Sequence, residues 1–322
     1  MSPTIFHAVP IEPEFEEKLR AAGDLHRLDM RAPRDEQLAA VAEADGIICS
    51  PALEIDAAFL DAAPNLKAVC TVSVGYNAFD IPLLTSRGVA LCNTPGVLNR
   101  AVADLTAAMV LMLQRNLMAF EQYSRSGGWG RREPFPALAH ESAGHTMGVV
   151  GFGRIGQEVT RRGHALGMST LWYDIFDTAP ADAPESTYRP LDDLLRESDV
   201  VTLHMDLNEA SHHLIGEREL GLMRSTAYLI NTSRGPVVDQ PALTQALKDN
   251  VIAGAALDVL EDEPPSPDEE IVGLPNVITF PHIGTATEET RKAMRGLAVD
   301  NLIAVLTGNE PPACVNRSVL TS

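Results

Sequence analysis

Arg234, Asp258, Glu263 and His282 each follow a short apolar run in the second half of the chain. The runs are residues 227–230 before Arg234, 252–257 before Asp258 and, a few residues later, Glu263, and 277–280 before His282. Such runs read as strands, and in an open α/β sheet ligands bind beyond the carboxyl ends of the strands, so these distant residues are expected on one edge. Arg234 offers a planar fork that grips a carboxylate with two parallel hydrogen bonds. Histidine is the side chain that changes charge near neutral pH, so His282 suits proton transfer to and from a carbonyl oxygen. Glu263 beside that imidazole would favour its charged form and fix its tautomer. A carboxylate clamp, a proton donor and a tuning acid are what hydride transfer to a 2-oxo acid requires. Asp258 is suited to hold the carboxamide of a nicotinamide.

Residues 146–174 point to the hydride source. They read as strand, tight turn, helix, strand and acid, with Gly151-Phe152-Gly153-Arg154-Ile155-Gly156 at the turn. Gly151 permits a sharp turn, Gly153 lets backbone approach a pyrophosphate, and Gly156 allows the helix to pack close to the sheet. The helix N-terminus would then face the phosphates with unsatisfied N–H groups. Asp174, at the end of the second strand, is placed to accept from an adenosine ribose and to repel a 2′-phosphate. No Arg or Lys follows it before Arg189. NAD(H) is therefore preferred over NADP(H).

The elements that must position these groups alternate along the chain. Before the glycine turn, strands are expected at 5–9, 25–30, 46–49, 67–72 and 89–92, and helices near 14–22, 35–42, 56–62 and 81–87. Residues 98–120 read as one long helix. An irregular segment with Gly127-Gly128-Trp129-Gly130 follows. Beyond Asp174 come strands at 199–203, 227–230, 252–257 and 277–280, with helices near 191–196, 217–223 and 240–248. Residues 285–288 read as a capping box opening a final helix to about Leu306. Such repetition implies α/β architecture, two doubly wound parallel-sheet domains.

Net charge is −19, from 25 basic and 44 acidic residues, which disfavours nucleic acid and anionic membrane as partners. Cys49, Cys70, Cys92 and Cys314 form no C-x-x-C pair and have no His at ligand spacing, so reduced thiols and no metal are expected. His212-His213 lacks a carboxylate or Cys at ligand spacing in sequence and reads as a solvated helix entry. His204, at a strand end, reads as a packed polar residue or a lining of the cofactor pocket. The opening residues lack a basic and an apolar targeting region, and no apolar run reaches membrane-spanning length, so a cytoplasmic protein is expected.

The sequence also resembles the D-isomer specific 2-hydroxyacid dehydrogenases. The matching residues are Gly151–Gly156 with Asp174, Ile230-Asn231-Thr232-Ser233-Arg234-Gly235, Ala256-Leu257-Asp258-Val259 with Glu263-Pro264, and Phe280-Pro281-His282-Ile283-Gly284. Val72-Ser73-Val74-Gly75-Tyr76-Asn77 and Asn93-Thr94-Pro95-Gly96-Val97 match upstream. The resemblance implies a flavodoxin-like substrate domain of residues 1–98 plus 288–322 and a Rossmann NAD-binding domain of residues 99–287. It implies Arg234, Glu263 and His282 as catalytic residues, with Arg234, His282, Val74 and Gly75 contacting the substrate, the last two through backbone donors. Gly151, Gly153, Arg154, Ile155, Gly156, Asp174, Thr232, Ser233, Asp258 and Gly284 would hold the cofactor. A homodimer built around the long helix is implied too. Within the family, chain length and Gly127-Gly128-Trp129 look most like the glyoxylate and hydroxypyruvate reductases. Two departures stand out: Asp206 where proline is common near the adenosine, and Arg132 where some of those reductases carry an aromatic, a candidate for reading a second polar group of the substrate. The alternatives are a non-enzymatic, NAD-sensing regulator of the same fold, formate oxidation, and a dehydrogenase of a larger acid such as 2-ketogluconate or phosphoglycerate. The complete reacting set argues against the regulator, formate would not call for Glu263, and no cluster of arginines is evident for a phosphate.

Overall fold

The computed structural model describes residues 2–321. Two compact units emerge, one running to Leu98 and resuming at Thr287, the other Asn99–Ala286.

The first unit is built on five strands, β1 (Thr4–His7), β2 (Asp24–Arg27), β3 (Gly46–Cys49), β4 (Ala68–Thr71) and β5 (Ala90–Cys92). They pair in parallel in the order β2-β1-β3-β4-β5, the flavodoxin-like order. Every residue of β3, β4 and β5 is buried, as expected for unbroken apolar strands covered on both faces. Ile47 packs with Phe59, Val69 and Leu91 on one face, and its neighbour Ile48 with Cys70, Val299 and Leu302 on the other. The last two belong to the final helix, Glu288–Leu306. That helix sits so close to β3 that a Cβ on Gly46 would lie 2.5 Å from Leu302. Its cap is Thr287, whose hydroxyl accepts from the Thr290 amide at 3.2 Å. The capping box expected on Thr285 does not form, because the chain turns through Ala286 and the third helical position is Thr290.

In the second unit seven parallel strands, β6 (Thr146–Val150), β7 (Ser169–Tyr173), β8 (Thr187–Tyr188), β9 (Val200–Leu203), β10 (Tyr228–Asn231), β11 (Gly254–Leu257) and β12 (Val277–Thr279), run in the order β12-β11-β10-β9-β6-β7-β8. The winding direction reverses between β6 and β9, the Rossmann switch point. The fold class read from the sequence is thus the one observed. The helix expected over 98–120 is two helices, Asn99–Gln114 and Leu117–Arg125. Asn116 adopts a left-handed backbone (φ 49°), which Asn tolerates, and the carbonyl of Gln114 accepts from His140 instead of continuing the helical ladder. A short helix, Gly128–Arg131, occupies the segment expected to be irregular.

Candidate active site

The glycine turn has the geometry its spacing requires. Gly151 leaves β6 with φ 93°, and a Cβ there would lie 2.7 Å from the backbone of His204. At Gly156 a Cβ would meet the Gly151 carbonyl at 2.1 Å, so helix Arg154–Ala165 packs on the turn only with glycine there. Around Gly153 a Cβ would find nothing within 4 Å. Open space thus lies before the first amides of a twelve-residue helix, and the site fits a dinucleotide pyrophosphate. Arg154 is exposed and Ile155 half-buried beside it. Both oxygens of Asp174 accept backbone amides, Phe152 at 2.7 Å and Ile175 at 2.7 Å. The acid therefore ties the end of β7 to the glycine turn and keeps lone pairs for a ribose.

Beyond β10 the turn is shaped by Asn231, which the sequence reading did not single out. Its side chain accepts from the amide and hydroxyl of Ser233 at 3.0 and 2.8 Å and donates to the carbonyl of Arg234 at 2.9 Å. An Asn two residues before Ser233 is itself a turn signal. Thr232 is buried, and its hydroxyl lies 3.1 Å from that of Thr106 and 3.4 Å from His204 Nδ1. His204 itself is half-buried. Its Nε2 is buried without a partner, and burial pushes its pKa down to about 3. Arg234 donates to the Ser233 carbonyl at 2.6 Å. Burial lowers its pKa, opposed by the negative charges of Asp206 and Glu263. Asp206, read in sequence as a departure near the adenosine, is exposed and acts electrostatically on Arg234.

The ends of β11 and β12 are joined by Asp258. It is 2 % exposed, and its two oxygens accept the amides of Ile283 at 2.7 Å and Gly284 at 2.8 Å. Burial raises its pKa against the pull of those amides and of His282. His282, with a left-handed backbone (φ 53°), donates its own amide to the Asp258 carbonyl at 2.9 Å. Its Nδ1 meets Glu263 Oε2 at 2.7 Å, while Glu263 Oε1 accepts the Leu260 amide at 3.1 Å. Burial pushes the Glu263 carboxyl up, but the His282 hydrogen bond and charge, the Leu260 amide and the charge of Arg234 outweigh it and leave the pKa lowered. The second unit thus assembles Arg234, Asp258, Glu263, His282 and Gly284 from three strand ends.

Val74 and Gly75 lie in the first unit, in the turn after β4. The carbonyl of Val74 accepts from Asn93 at 2.8 Å and that of Gly75 from the Ser73 hydroxyl at 2.7 Å. Arg132 is exposed, with φ 57°, at the end of the short Gly128–Arg131 helix. Among the described residues no group of three His, Cys, Asp or Glu side chains is placed to hold a metal ion, and no helix is long and apolar enough to cross a membrane.

Comparison with known proteins gives a family. Residues 107–284 match the D-isomer specific 2-hydroxyacid dehydrogenase, NAD binding domain, family. A glyoxylate reductase of Thermofilum pendens is 43% identical over 295 residues, covering 91% of this chain and 87% of its own. The NADPH-dependent glyoxylate/hydroxypyruvate reductase of Sinorhizobium meliloti, solved with NADP and malonate, superposes with a TM-score of 0.85 at 32% identity, covering 98% of this chain and 97% of that one. D-Lactate dehydrogenase from Aquifex aeolicus, solved with NAD and lactic acid, gives 0.85 at 31%, over 97% and 99%. With that likeness along nearly its whole length, a Rossmann unit and an Arg, Glu and His set at its strand ends, the chain belongs to the D-isomer specific 2-hydroxyacid dehydrogenases, oxidoreductases that move a hydride between a nicotinamide cofactor and a small 2-oxo or 2-hydroxy acid.

Proposed function

We propose that this protein reduces glyoxylate or hydroxypyruvate, with NADH preferred over NADPH. The observation that carries the reading is the 2.7 Å contact between His282 Nδ1 and Glu263, in the same unit as the partly buried Arg234. Arg234 grips the substrate carboxylate and orients the carbonyl. Glu263 holds Nδ1 of His282, so that Nε2 carries the proton destined for the carbonyl oxygen. Asp258 fixes the backbone on both sides of Ile283 and with it the imidazole. The cofactor would rest on Gly151, Gly153, Arg154, Ile155 and Gly156, with Asp174 at its ribose and Thr232, Ser233, Asp258 and Gly284 toward its nicotinamide. When bound, it supplies the hydride. As Nε2 gives up its proton, the product hydroxyl forms, and the neutral imidazole takes the proton back in the reverse direction.

The coenzyme preference rests on Asp174, whose carboxylate opposes a 2′-phosphate. The relatives' names, which include reductases of both acids, support the substrate class. A homodimer is supported by apolar side chains exposed along one segment, Leu117, Met118, Trp129, Phe135 and Leu138. A cytoplasmic setting suits its four unpaired thiols. The test is oxidation of NADH, and separately NADPH, with glyoxylate, hydroxypyruvate, pyruvate, phenylpyruvate and 2-ketogluconate. Fast NADH oxidation with glyoxylate or hydroxypyruvate is expected. Preference for NADPH would overturn the role given to Asp174, and turnover of only the larger acids would overturn the substrate.

A further inference from the structure

A second histidine–glutamate pair joins His213 to Glu261, two residues before the Glu263 of the first pair. His213 Nε2 meets Glu261 Oε1 at 2.9 Å, and both side chains are about one-third exposed. As a stabilising ion pair such a contact is worth little. Its position is what matters. On one side, the His213 amide donates to the Pro236 carbonyl at 2.8 Å, and Ile215 exchanges bonds with Val237 and Asp239, so residues 213–215 run beside the continuation of the Arg234 turn. On the other side, Glu261 belongs to the loop that carries Glu263. The Glu261 amide donates to Gln240 Oε1 at 3.0 Å, and the Gln240 amide donates to Glu261 Oε2 at 3.4 Å. The loop presses on the turn itself, since a Cβ on Gly235 would stand 1.8 Å from the Leu260 carbonyl. Leu260 is the residue whose amide holds Glu263. His213 is further fixed by the His212 ring, stacked at 4.0 Å, and has a left-handed backbone (φ 51°), a conformation that a histidine keeps where its surroundings dictate it.

We propose that His213 is a positioning residue: its side-chain bond to Glu261 and its backbone bond to Pro236 hold the loop bearing Glu263 in register with the turn bearing Arg234. This rests on the proton-transfer role proposed above for Glu263 and His282. The loss of His213 then acts on turnover, through Glu263, and leaves cofactor binding alone.

The test is a kinetic cycle on the full chain with glyoxylate and NADH. His213→Phe keeps a stacked ring but removes the bond to Glu261. It is expected to lower kcat roughly ten-fold, the scale of a coupled contact that misplaces a reacting group, with KM for glyoxylate and Kd for NADH within about two-fold. Glu261→Ala should behave alike, whereas Glu261→Gln keeps an acceptor and should retain most of kcat. In a Glu263→Gln background His213→Phe should have no further effect. An unchanged kcat in His213→Phe, or the same fold-loss with and without Glu263, overturns the proposal. If His213→Phe fails to fold, Glu261→Ala and Glu261→Gln complete the same cycle. A Glu263→Gln variant with normal kcat would instead defeat the role proposed for Glu263, a result distinct from either of these.

Discussion

Asp258 accepts the amide of Gly284 at 2.8 Å across 26 residues of sequence, and so fastens the end of β11 to the loop beyond β12. Its other oxygen takes the Ile283 amide, so the backbone leaving His282 is held on two consecutive groups. Asp258→Ala would leave both amides without their acceptor, at roughly 1–3 kcal/mol for the buried Gly284 amide and less for the half-buried Ile283 amide. Urea denaturation is expected to show that loss, and kcat should fall with it as the imidazole loses its bearing. A variant with unchanged stability and kcat would contradict the role.

His204 gives the protein a predictable acid limb. Burial depresses its folded-state pKa to about 3, below the ordinary value of 6.5. The unfolded chain therefore takes up a proton that the folded state resists, and stability is lost as pH falls through 6.5 toward 3, by about 1.4 kcal/mol per unit. Between pH 7 and 5 the protein should lose on the order of 2 kcal/mol more than His204→Leu, measured by urea unfolding at both pH values. Equal losses would mean that His204 is open to protonation in the folded state.

Asp174 should set coenzyme choice. A carboxylate and a 2′-phosphate about 4 Å apart repel by a few kcal/mol at an effective dielectric near 20. Asp174→Asn keeps an acceptor for the Phe152 amide and removes the charge. The ratio of kcat/KM for NADPH to that for NADH should rise at least about ten-fold. An unchanged ratio would show that discrimination lies elsewhere.

Trp129, Phe135 and Leu138 expose 71, 67 and 89 % of their surface, more than isolated apolar residues explain. Sedimentation of the wild type should give a dimer at micromolar concentration, and Trp129→Glu combined with Leu138→Glu should give a monomer. A monomeric wild type would contradict the homodimer.

Features governed by local rules were legible in the sequence. Gly151 and Gly156 mark places where a Cβ collides, Asp174 follows them at the end of β7, and the apolar runs of β3, β4, β10 and β11 announce strands buried on both faces. The contact between Glu263 and His282 was also expected, because strand ends of a parallel sheet share one edge. Features that depend on which segments meet were not. The break at Asn116 is fixed partly by His140 reaching Gln114. The two amides on Asp258 come from a loop 25 and 26 residues away. His213 looked like a solvated residue because Glu261, its partner, is 48 residues distant.

The most direct measurement is kcat for glyoxylate reduction by NADH in wild type and in His282→Gln, with NADH affinity measured alongside. A fall of roughly 10²–10⁴ is expected, the size of a general-acid effect, with NADH binding retained. Turnover near that of the wild type would contradict proton transfer by His282 and, with it, the purpose of the Glu263 contact.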